Sequence, residues 1–341
     1  MKVDKDSIRR RALELASLQT PGIGTRLATE FGVSRQVANG YLKALVRDGL
    51  IDAEGTTRAR VYRLKTLAEA ERAYPRDGLQ EDLVWRGVFA PLVADLGDNV
   101  RGIWHYGITE MTNNAIDHSS SIEVRVGMRR NALFTDVWVA DDGEGIFLKI
   151  QRALDLHDPR EAILELAKGK LTTAPDQHSG EGIFFTSRVM DVFGIESGRL
   201  HFSHNLGKPD MIEECDLDVK GTRISMRLAN DSARTMKSVF DAFSDEEYSF
   251  EKTVVPLRLA QHEGETLVSR SQAKRVAHRF ERFKKVVLDF EGVSEIGQAF
   301  ADELFRVFAT AHPDVQLTPI NTSEAVAQMV KRAVNARTNA S

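Results

Sequence analysis

The chain has 341 residues, of which 42% are hydrophobic and 28% charged, and this length suffices for two or three domains. Its single cysteine, Cys215, excludes an intrachain disulfide and a cysteine-based metal cluster. The net charge of −4 is unevenly spread, because residues 1–65 carry 13 Lys and Arg against 7 Asp and Glu and the remainder carries 33 against 43. A basic head on an acidic body predicts an anionic partner for the head.

The sequence contains no membrane or export signal that we recognise. No apolar run approaches the ~18 residues of a membrane-spanning helix. The start Met1-Lys2-Val3-Asp4 does not have the pattern of a signal peptide. We therefore expect a cytoplasmic protein with no membrane partner.

The first 65 residues predict two helices joined by a tight turn and followed by a hairpin. Apolar residues recur at helical spacing over 27–45, broken by a glycine, and Ser34 stands where it would cap the second helix. Short strands at 50–53 and 60–64 complete the pattern. It resembles the bacterial winged-helix DNA-binding domains.

That resemblance implies double-stranded DNA as a partner. The start of the second helix would face base edges, and nearby basic residues would meet phosphates. The residues in these expected roles are Arg35, Gln36 and Asn39 for bases and Lys43, Arg47, Arg58 and Arg60 for phosphates. A winged helix used for protein contacts is the alternative.

Residues 66–98 predict a mostly helical linker with a break at 75–78. Trp85, Phe89 and Leu92 are apolar at helical spacing, which indicates core packing or a dimer contact. The segment contains no histidine, so it lacks the phosphoacceptor that a histidine kinase needs.

Residues 99–118 predict a buried helix with polar residues on one face. Glu110, Asn114 and either Asp117 or His118 fall on that face at helical spacing. A carboxylate and a carboxamide one turn apart can share a hydrated Mg²⁺, with Asn114 as ligand and Glu110 as general base for a water. The same spacing also fits a solvated face, but the apolar residues around it favour burial.

Two predicted antiparallel strands, 121–128 and 133–140, lead into Asp141-Asp142-Gly143-Glu144-Gly145. Two glycines spaced by one residue let the backbone turn sharply and approach a flat ligand. Asp141 at the base of the turn can accept a hydrogen bond from an exocyclic amine such as that of adenine. A calcium loop is disfavoured, because its carboxylate ladder and terminal Glu do not follow.

A third glycine motif opens an apolar-periodic helix that runs to Phe193. Gly180 and Gly182 at its start would offer backbone N–H groups to an anion. The preceding polar segment, about 168–180, is either a lid over phosphates or a solvated loop. Its candidate phosphate-binding side chains are Lys168, Lys170, Thr172 and Thr173.

Taken in order, these motifs resemble the GHKL ATPase superfamily of gyrase, the ninety-kilodalton heat-shock chaperones, MutL and the histidine kinases. EMTNNAIDH looks like the N box, DDGEGI the G1 box, SGEGI the G2 box and KGTRI the terminal Gly-Thr, together covering roughly 80–230. The resemblance implies an ATP-binding domain at 99–230, an α/β sandwich in which a mixed sheet is covered by helices. It also implies that Glu110 is the catalytic base and Asn114 the Mg²⁺ ligand. The expected ATP contacts are Asn114, Asp117, Asp141, Gly143, Gly145, Ser179, Gly180, Gly182 and Thr222.

Residues 250–341 predict a small layer of alternating helices and strands. The predicted order is helix 265–283, strand 284–293, helix 297–312, strand 315–321 and a helix capped by Thr322 or Ser323. The run VVLDFEGVSEIGQAFADELF resembles the STAS-like fold of anti-sigma-factor antagonists, whose phosphorylated serine begins the helix after that strand. Here Gly297-Gln298-Ala299 carries no hydroxyl there, so the phosphoswitch is not carried over, and Ser294 is the nearest candidate.

The predicted fold class is therefore α+β and multidomain: a winged helix, a GHKL sandwich and a STAS-like domain. The leading hypothesis is a transcription regulator in which binding and slow hydrolysis of Mg·ATP are coupled to DNA binding. A protein partner for the STAS-like domain and a homodimer are further expectations. The alternatives are a protein Ser/Thr kinase related to anti-sigma kinases and an ATP-binding scaffold without catalysis.

Overall fold

The computed structural model describes residues 4–56, 60–171, 180–244, 249–261 and 265–338. The predicted α+β class is confirmed, since helices pack around a two-stranded and a five-stranded antiparallel sheet and a three-stranded parallel sheet. No helix in these ranges is long and apolar enough to cross a membrane.

The N-terminal unit consists of three helices and a hairpin: the two helices and the hairpin that the sequence predicts, and a further helix before them. Its elements are α1 Lys5–Ser17, α2 Ile23–Phe31, α3 Arg35–Arg47, β1 Ile51–Glu54 and β2 Val61–Leu64. Helix α3 starts where predicted, because the Ser34 side chain accepts a hydrogen bond from the Val37 N–H at 3.2 Å. The unit has its own apolar core, against which Ala132 and Leu133 of the middle unit pack.

The prediction of a mostly helical linker at 66–98 is wrong for its first part. Residues Ala68–Pro75 form β3, which pairs antiparallel with β4 (Glu123–Arg130) at the edge of the large sheet. The segment is rich in Ala and Glu, whose helix propensity is high, but pairing with a neighbouring strand outweighs propensity. Only Glu81–Val93 is helical, as α4 (Glu81–Val84), a π-helical turn and a 3₁₀ turn.

The middle unit is a five-stranded antiparallel sheet in the order β3-β4-β5-β7-β6, with helices packed on it. Its remaining elements are α5 Asp98–His118, β5 Phe134–Asp141, α6 Ile146–Ala153, α7 Pro159–Lys168, α8 Gly182–Val189, β6 Val192–Asn205, β7 Met211–Ala229 and α9 Met236–Phe243. The predicted helix at 99–118 and the two strands after it are confirmed. Helix α8 is shorter than predicted, because Phe193 and Ile195 are already buried on one face of β6.

The C-terminal unit alternates strands and helices around a parallel sheet in the order β10-β9-β8. Its elements are β8 Lys252–Pro256, α10 Arg270–Ala277, β9 Lys285–Asp289, α11 Gln298–Asp302, α12 Ala309–Ala311, β10 Gln316–Ile320 and α13 Glu324–Thr338. Strand β8 was not predicted. Of the two predicted caps, Ser323 accepts the hydrogen bond from the Val326 N–H at 3.1 Å. Helix α10 is shorter than the predicted 265–283, because it begins after the Ser269 cap, whose side chain accepts from the Gln272 N–H, and because the φ of 69° at Arg279 prevents its continuation.

The middle and C-terminal units share one hydrophobic core. The ring of Phe250 lies 4.7 Å from that of Phe184 in α8 and 5.5 Å from that of Phe283 in the C-terminal unit. Aromatic pairs at such distances add stabilisation beyond the area they bury. The two units are therefore packed together rather than tethered.

An ionic cluster, the Glu165 cluster, is buried in the same interface and consists of Glu165, Lys168 and Arg279. Glu165 Oε1 accepts from Lys168 Nζ at 2.6 Å, and Oε2 accepts from Arg279 Nη1 at 3.0 Å. Burial alone raises the pKa of Glu165, but the Lys168 charge, a hydrogen bond with His278 and the Arg279 charge outweigh it and lower the pKa to about 2. The carboxylate is thus ionised and held by two cations from different units.

Candidate functional site

A cavity of about 310 Å³ lies in the middle unit, between α5, α6 and α8 and the sheet strands β5 and β7. It brings together residues that the sequence assigned to one site from widely separated motifs. These are Glu110, Asn114, Asp141, Gly145, Gly180, Gly182 and Thr222.

Asp141 lies at the sheet side of the cavity, at the end of β5 and opposite Thr222 of β7. Its Oδ1 accepts hydrogen bonds from the backbone N–H of Gly143 at 2.9 Å and of Thr222 at 3.3 Å. Burial raises the pKa of Asp141, and these two bonds act in the opposite direction. Within the described part of the chain Oδ2 makes no hydrogen bond, so this oxygen can accept from a ligand.

The turn after Asp141 requires glycine and leads into α6. Gly145 has a φ of 89°, and a methyl group there would come within 2.5 Å of Ser197 Oγ. The next residue, Ile146, donates its N–H to Thr222 Oγ1 at 3.0 Å. The motifs around Asp141 and Thr222 are therefore joined by hydrogen bonds in both directions.

The opposite wall is made by α5 and by the start of α8. A methyl group on Gly182 would come within 2.1 Å of Glu110 Oε2, so the start of α8 lies directly against this carboxylate. One turn further along α5, the side-chain Nδ2 of Asn114 is buried and has no hydrogen-bond partner among the described residues. A buried amide of this kind is normally satisfied, so this nitrogen can donate to a bound ligand.

The pKa of Tyr106, one turn before Glu110 on α5, is raised by its surroundings. Burial raises its pKa, and the negative charges of Glu110 and Glu181 raise it further. The phenol therefore stays protonated beside the two carboxylates.

Two of the predicted ATP contacts, Asp117 and Gly143, are not among the described residues that line the cavity. Asp117 is exposed near the end of α5, and His118 lines the cavity instead. Gly143 supports the turn by donating its N–H to Asp141. Ser179 lies outside the described residues, as do Thr172 and Thr173.

The two lysines predicted to close over phosphates point away from the cavity. Lys168 is fully buried and donates to Glu165 and to the carbonyl of His278 at 2.9 Å. Lys170 donates to the carbonyl of Arg282 at 2.9 Å. Both lysines therefore donate hydrogen bonds to the C-terminal unit, a contact that the sequence analysis did not predict.

Lys149 of α6 is a cavity residue that the sequence analysis missed. Its Nζ donates to the carbonyl of His118 at 2.5 Å, and its positive charge acts on Asp141. Its place one helical turn after Gly145 was a usable signal, since residues i and i+4 lie on the same helix face. It brings a cation to a cavity whose described lining includes the carboxylates of Glu110 and Asp141.

The surface of α3 presents most of the residues predicted to contact DNA. Arg35, Gln36 and Lys43 are exposed, and Arg35 and Lys43 form no ion pair with any residue the structure describes. Arg47 instead pairs with Asp48 at 3.3 Å. The side chain of Asn39 lies against Gly24 of α2, because a methyl group added to Gly24 would come within 2.4 Å of the Asn39 Oδ1. Arg60 is exposed beside the hairpin, and Arg58 lies outside the described residues.

Comparison with known families identifies one part of the chain. Residues 272–327 match the model of the STAS-like domain of unknown function (DUF4325). The chain therefore contains a STAS-like domain in its C-terminal part, as the sequence predicts. This match includes Arg279 of the Glu165 cluster.

No curated protein matches the chain. Among solved structures, one match is the "Crystal structure of IcIR transcriptional regulator from Alicyclobacillus acidocaldarius", at 14% identity and a TM-score of 0.22. It covers 70% of this chain and 92% of that chain. A TM-score this low does not establish a common fold, so nothing about the site is taken from it.

Proposed function

We propose that this chain is an ATP-binding transcription regulator, in which a GHKL-type ATPase site is coupled to a DNA-binding winged helix. The observation that carries the proposal is Asp141 in the cavity. Its Oδ1 is fixed by two backbone N–H groups, and its Oδ2 is left to accept from a ligand. A carboxylate held in this way can select the exocyclic amine of a purine, because a carbonyl in that position on another base would be repelled.

The other end of the cavity fits phosphates and a magnesium ion. The first backbone N–H groups of α8, from Gly182 onward, are suited to an anion. Asn114 lines the cavity, and Mg²⁺ takes few protein oxygens, so the side-chain Oδ1 of Asn114 would hold the ion, while its unsatisfied Nδ2 would donate to a phosphate oxygen. When bound, Mg²⁺ would neutralise charge on the phosphates. Glu110, one turn away on α5, would orient and deprotonate the attacking water.

Glu110→Gln is expected to separate binding from turnover. Glutamine keeps the size of the side chain but cannot take a proton, so hydrolysis should fall by about 100-fold or more. The dissociation constant for Mg·ATP should stay within about threefold of the parent value, since a general base acts on the water and not on the nucleotide. Calorimetric titration and phosphate release measure the two quantities on one preparation.

The matched control is Glu123→Gln, an exposed carboxylate that pairs with Arg125 on β4. It should leave both quantities unchanged. Unaltered turnover in Glu110→Gln would remove Glu110 from the catalytic role. Transfer of labelled γ-phosphate to a protein, instead of release to water, would favour the kinase alternative.

Support for DNA as the partner of the N-terminal unit comes from charge and exposure. The unit carries six more basic than acidic residues. Arg35 is exposed at the start of α3, and Lys43 is exposed about two turns further along the same helix. Basic side chains on the exposed face of such a helix bind phosphates and displace counterions. ATP and DNA would then bind to different units of one chain, which is the arrangement a nucleotide-dependent regulator needs.

Lys43→Ala is expected to weaken binding to any duplex and to reduce its dependence on salt. Loss of one phosphate contact should lower the slope of log K against log salt concentration by about 0.9. Fluorescence anisotropy with a labelled duplex at several salt concentrations measures the slope. Lys208→Ala, an exposed lysine of the middle unit, is the matched control and should keep the parent slope. Equal slopes for both variants would contradict a DNA-binding role for this face of α3.

A further inference from the structure

The segment Lys168–Leu171 runs from the end of α7 to the wall of the cavity and has an unusual backbone. Lys170 has a φ of 50°, in the left-handed region that residues other than glycine rarely adopt. Such a conformation persists only where the surroundings hold it.

The C-terminal unit supplies the groups that hold this segment. Thr253 Oγ1 donates to the carbonyl of Lys168 at 2.7 Å. Arg279 Nη2 donates to the carbonyl of Gly169 at 2.9 Å and also to the carbonyl of Lys170. Three consecutive carbonyl groups thus accept hydrogen bonds from side chains that lie more than 80 residues further along the chain.

Arg279 is itself fixed in place. Its side chain is 4% exposed, and its Nη1 donates to Glu165 Oε2 at 3.0 Å. The planar guanidinium can bond to a carboxylate with one nitrogen and to two carbonyls with the other, which an ammonium cannot do in the same geometry. Arg279 therefore joins α7 and the segment after it in one rigid arrangement.

The far end of the segment belongs to the cavity. Leu171 donates its N–H to the carbonyl of Gly180 at 3.1 Å, and both residues line the cavity together with Leu166 of α7. The path from Arg279 to the cavity wall is therefore short: two hydrogen bonds to Gly169 and Lys170, one covalent link to Leu171 and one hydrogen bond to Gly180.

We propose that Arg279 of the STAS-like domain is a positioning residue for the nucleotide site. It fixes Leu171 and Gly180 against the cavity, so the C-terminal unit sets the affinity of the middle unit for nucleotide. This inference rests on the proposed function, because it takes Mg·ATP as the ligand of the cavity. A change imposed on the STAS-like domain at Arg279 would reach the nucleotide through this path.

Arg279→Lys tests the proposal in the full chain. Lysine keeps the positive charge beside Glu165 but loses the fork that reaches both carbonyls. Calorimetric titration should show affinities for Mg·ADP and Mg·ATP that are about tenfold weaker than those of the parent. The matched control is Arg306→Lys in the same unit, whose guanidinium bonds only to Asp302 among the contacts the structure gives it, and it should keep the parent affinity.

A thermal melt of each variant without nucleotide separates positioning from simple support of the fold. If Arg279 only stabilises the chain, Arg279→Lys lowers the melting temperature while the folded protein binds nucleotide with the parent affinity. Equal affinities in Arg279→Lys and the parent would overturn this inference and leave the proposed function standing. Absence of Mg·ATP binding to the parent chain would overturn both.

A second measurement needs no variant. Coupling between two sites is reciprocal. If Arg279 affects the affinity for nucleotide, bound nucleotide is therefore expected to stabilise the residues around Arg279 against local opening. Saturating Mg·ADP is expected to slow hydrogen exchange of the backbone amides at 278–282, in the C-terminal unit, as well as at 168–171. Protection confined to the middle unit would overturn the proposal even if Arg279→Lys failed to fold.

Discussion

Glu165→Gln is expected to destabilise the chain by about 3–5 kcal/mol, the cost of removing one partner from a buried ion pair. Lys168 is fully buried and Arg279 almost so, and both depend on the Glu165 carboxylate for their counter-charge. Glutamine has the same shape but removes the anion that pairs with Arg279 and that opposes the lowering of the Lys168 pKa by burial. Urea unfolding followed by tryptophan fluorescence measures the difference in the free energy of unfolding.

The matched control is Glu69→Gln, which removes the carboxylate of an exposed pair with Arg129 and should cost about 0–1 kcal/mol. The pH dependence is a second control. The folded pKa of Glu165 is lowered to about 2 from an ordinary 4.5, so its contribution is complete above pH 4.5 and is lost as the pH falls towards 2. The gap between parent and Glu165→Gln should narrow over that range, and a gap independent of pH would contradict the assigned ionisation.

Asp141→Asn is expected to weaken nucleotide binding by about 100-fold while leaving the fold intact. Asparagine can keep its oxygen towards the N–H groups of Gly143 and Thr222. Its Nδ2 then takes the place of the oxygen that would accept from the base. Two hydrogen-bond donors, this amide and the exocyclic amine of the base, would then face each other. Calorimetric titration with Mg·ATP measures the loss, and circular dichroism checks the fold.

Asp142→Asn is a control at the neighbouring position. Asp142 Oδ1 accepts from the N–H of Ile122 and of Glu123, outside the cavity, and asparagine can keep both bonds. This variant should therefore bind nucleotide as the parent does. The pair also tests coupling to DNA: if Asp141→Asn abolishes nucleotide binding and DNA affinity measured with Mg·ATP does not change, the two sites are independent.

Elements with strong local signals were predicted well. Helix α5 has apolar residues at helical spacing, α3 has a capping serine, and the turn at Asp141 has two glycines spaced by one residue. Each signal is contained within a few residues, so neighbouring sequence is enough to specify it. Strand β3 shows where local signals fail to predict structure. Its Ala and Glu residues favour a helix, but hydrogen bonds to the edge of β4 stabilise it as a strand.

The misassigned lysines show a second limit. Lys168 and Lys170 lie beside a glycine motif and carry the charge that phosphates attract, so a role over phosphates was a reasonable prediction. Glu165 precedes Lys168 by one turn on α7, but the carbonyls of His278 and Arg282 become neighbours of the two lysines only when the C-terminal unit packs on α7. Burial then favours pairing within the protein over exposure to a ligand.

The sequence by itself determined the order of the motifs, the residue types on which the proposed roles of Glu110, Asn114 and Asp141 depend, the excess of basic residues in the N-terminal unit and the STAS-like part. Each of these depends on residue type and on spacings of one to eight positions. The tertiary structure decided which motifs meet: Asp141 bonds to Thr222 across 81 residues, and Glu165 to Arg279 across 114. Contacts over such separations follow from strand register and domain packing, which no local pattern encodes. Tertiary structure therefore joined the cavity of the middle unit to a domain that the sequence had placed beside it only in order along the chain.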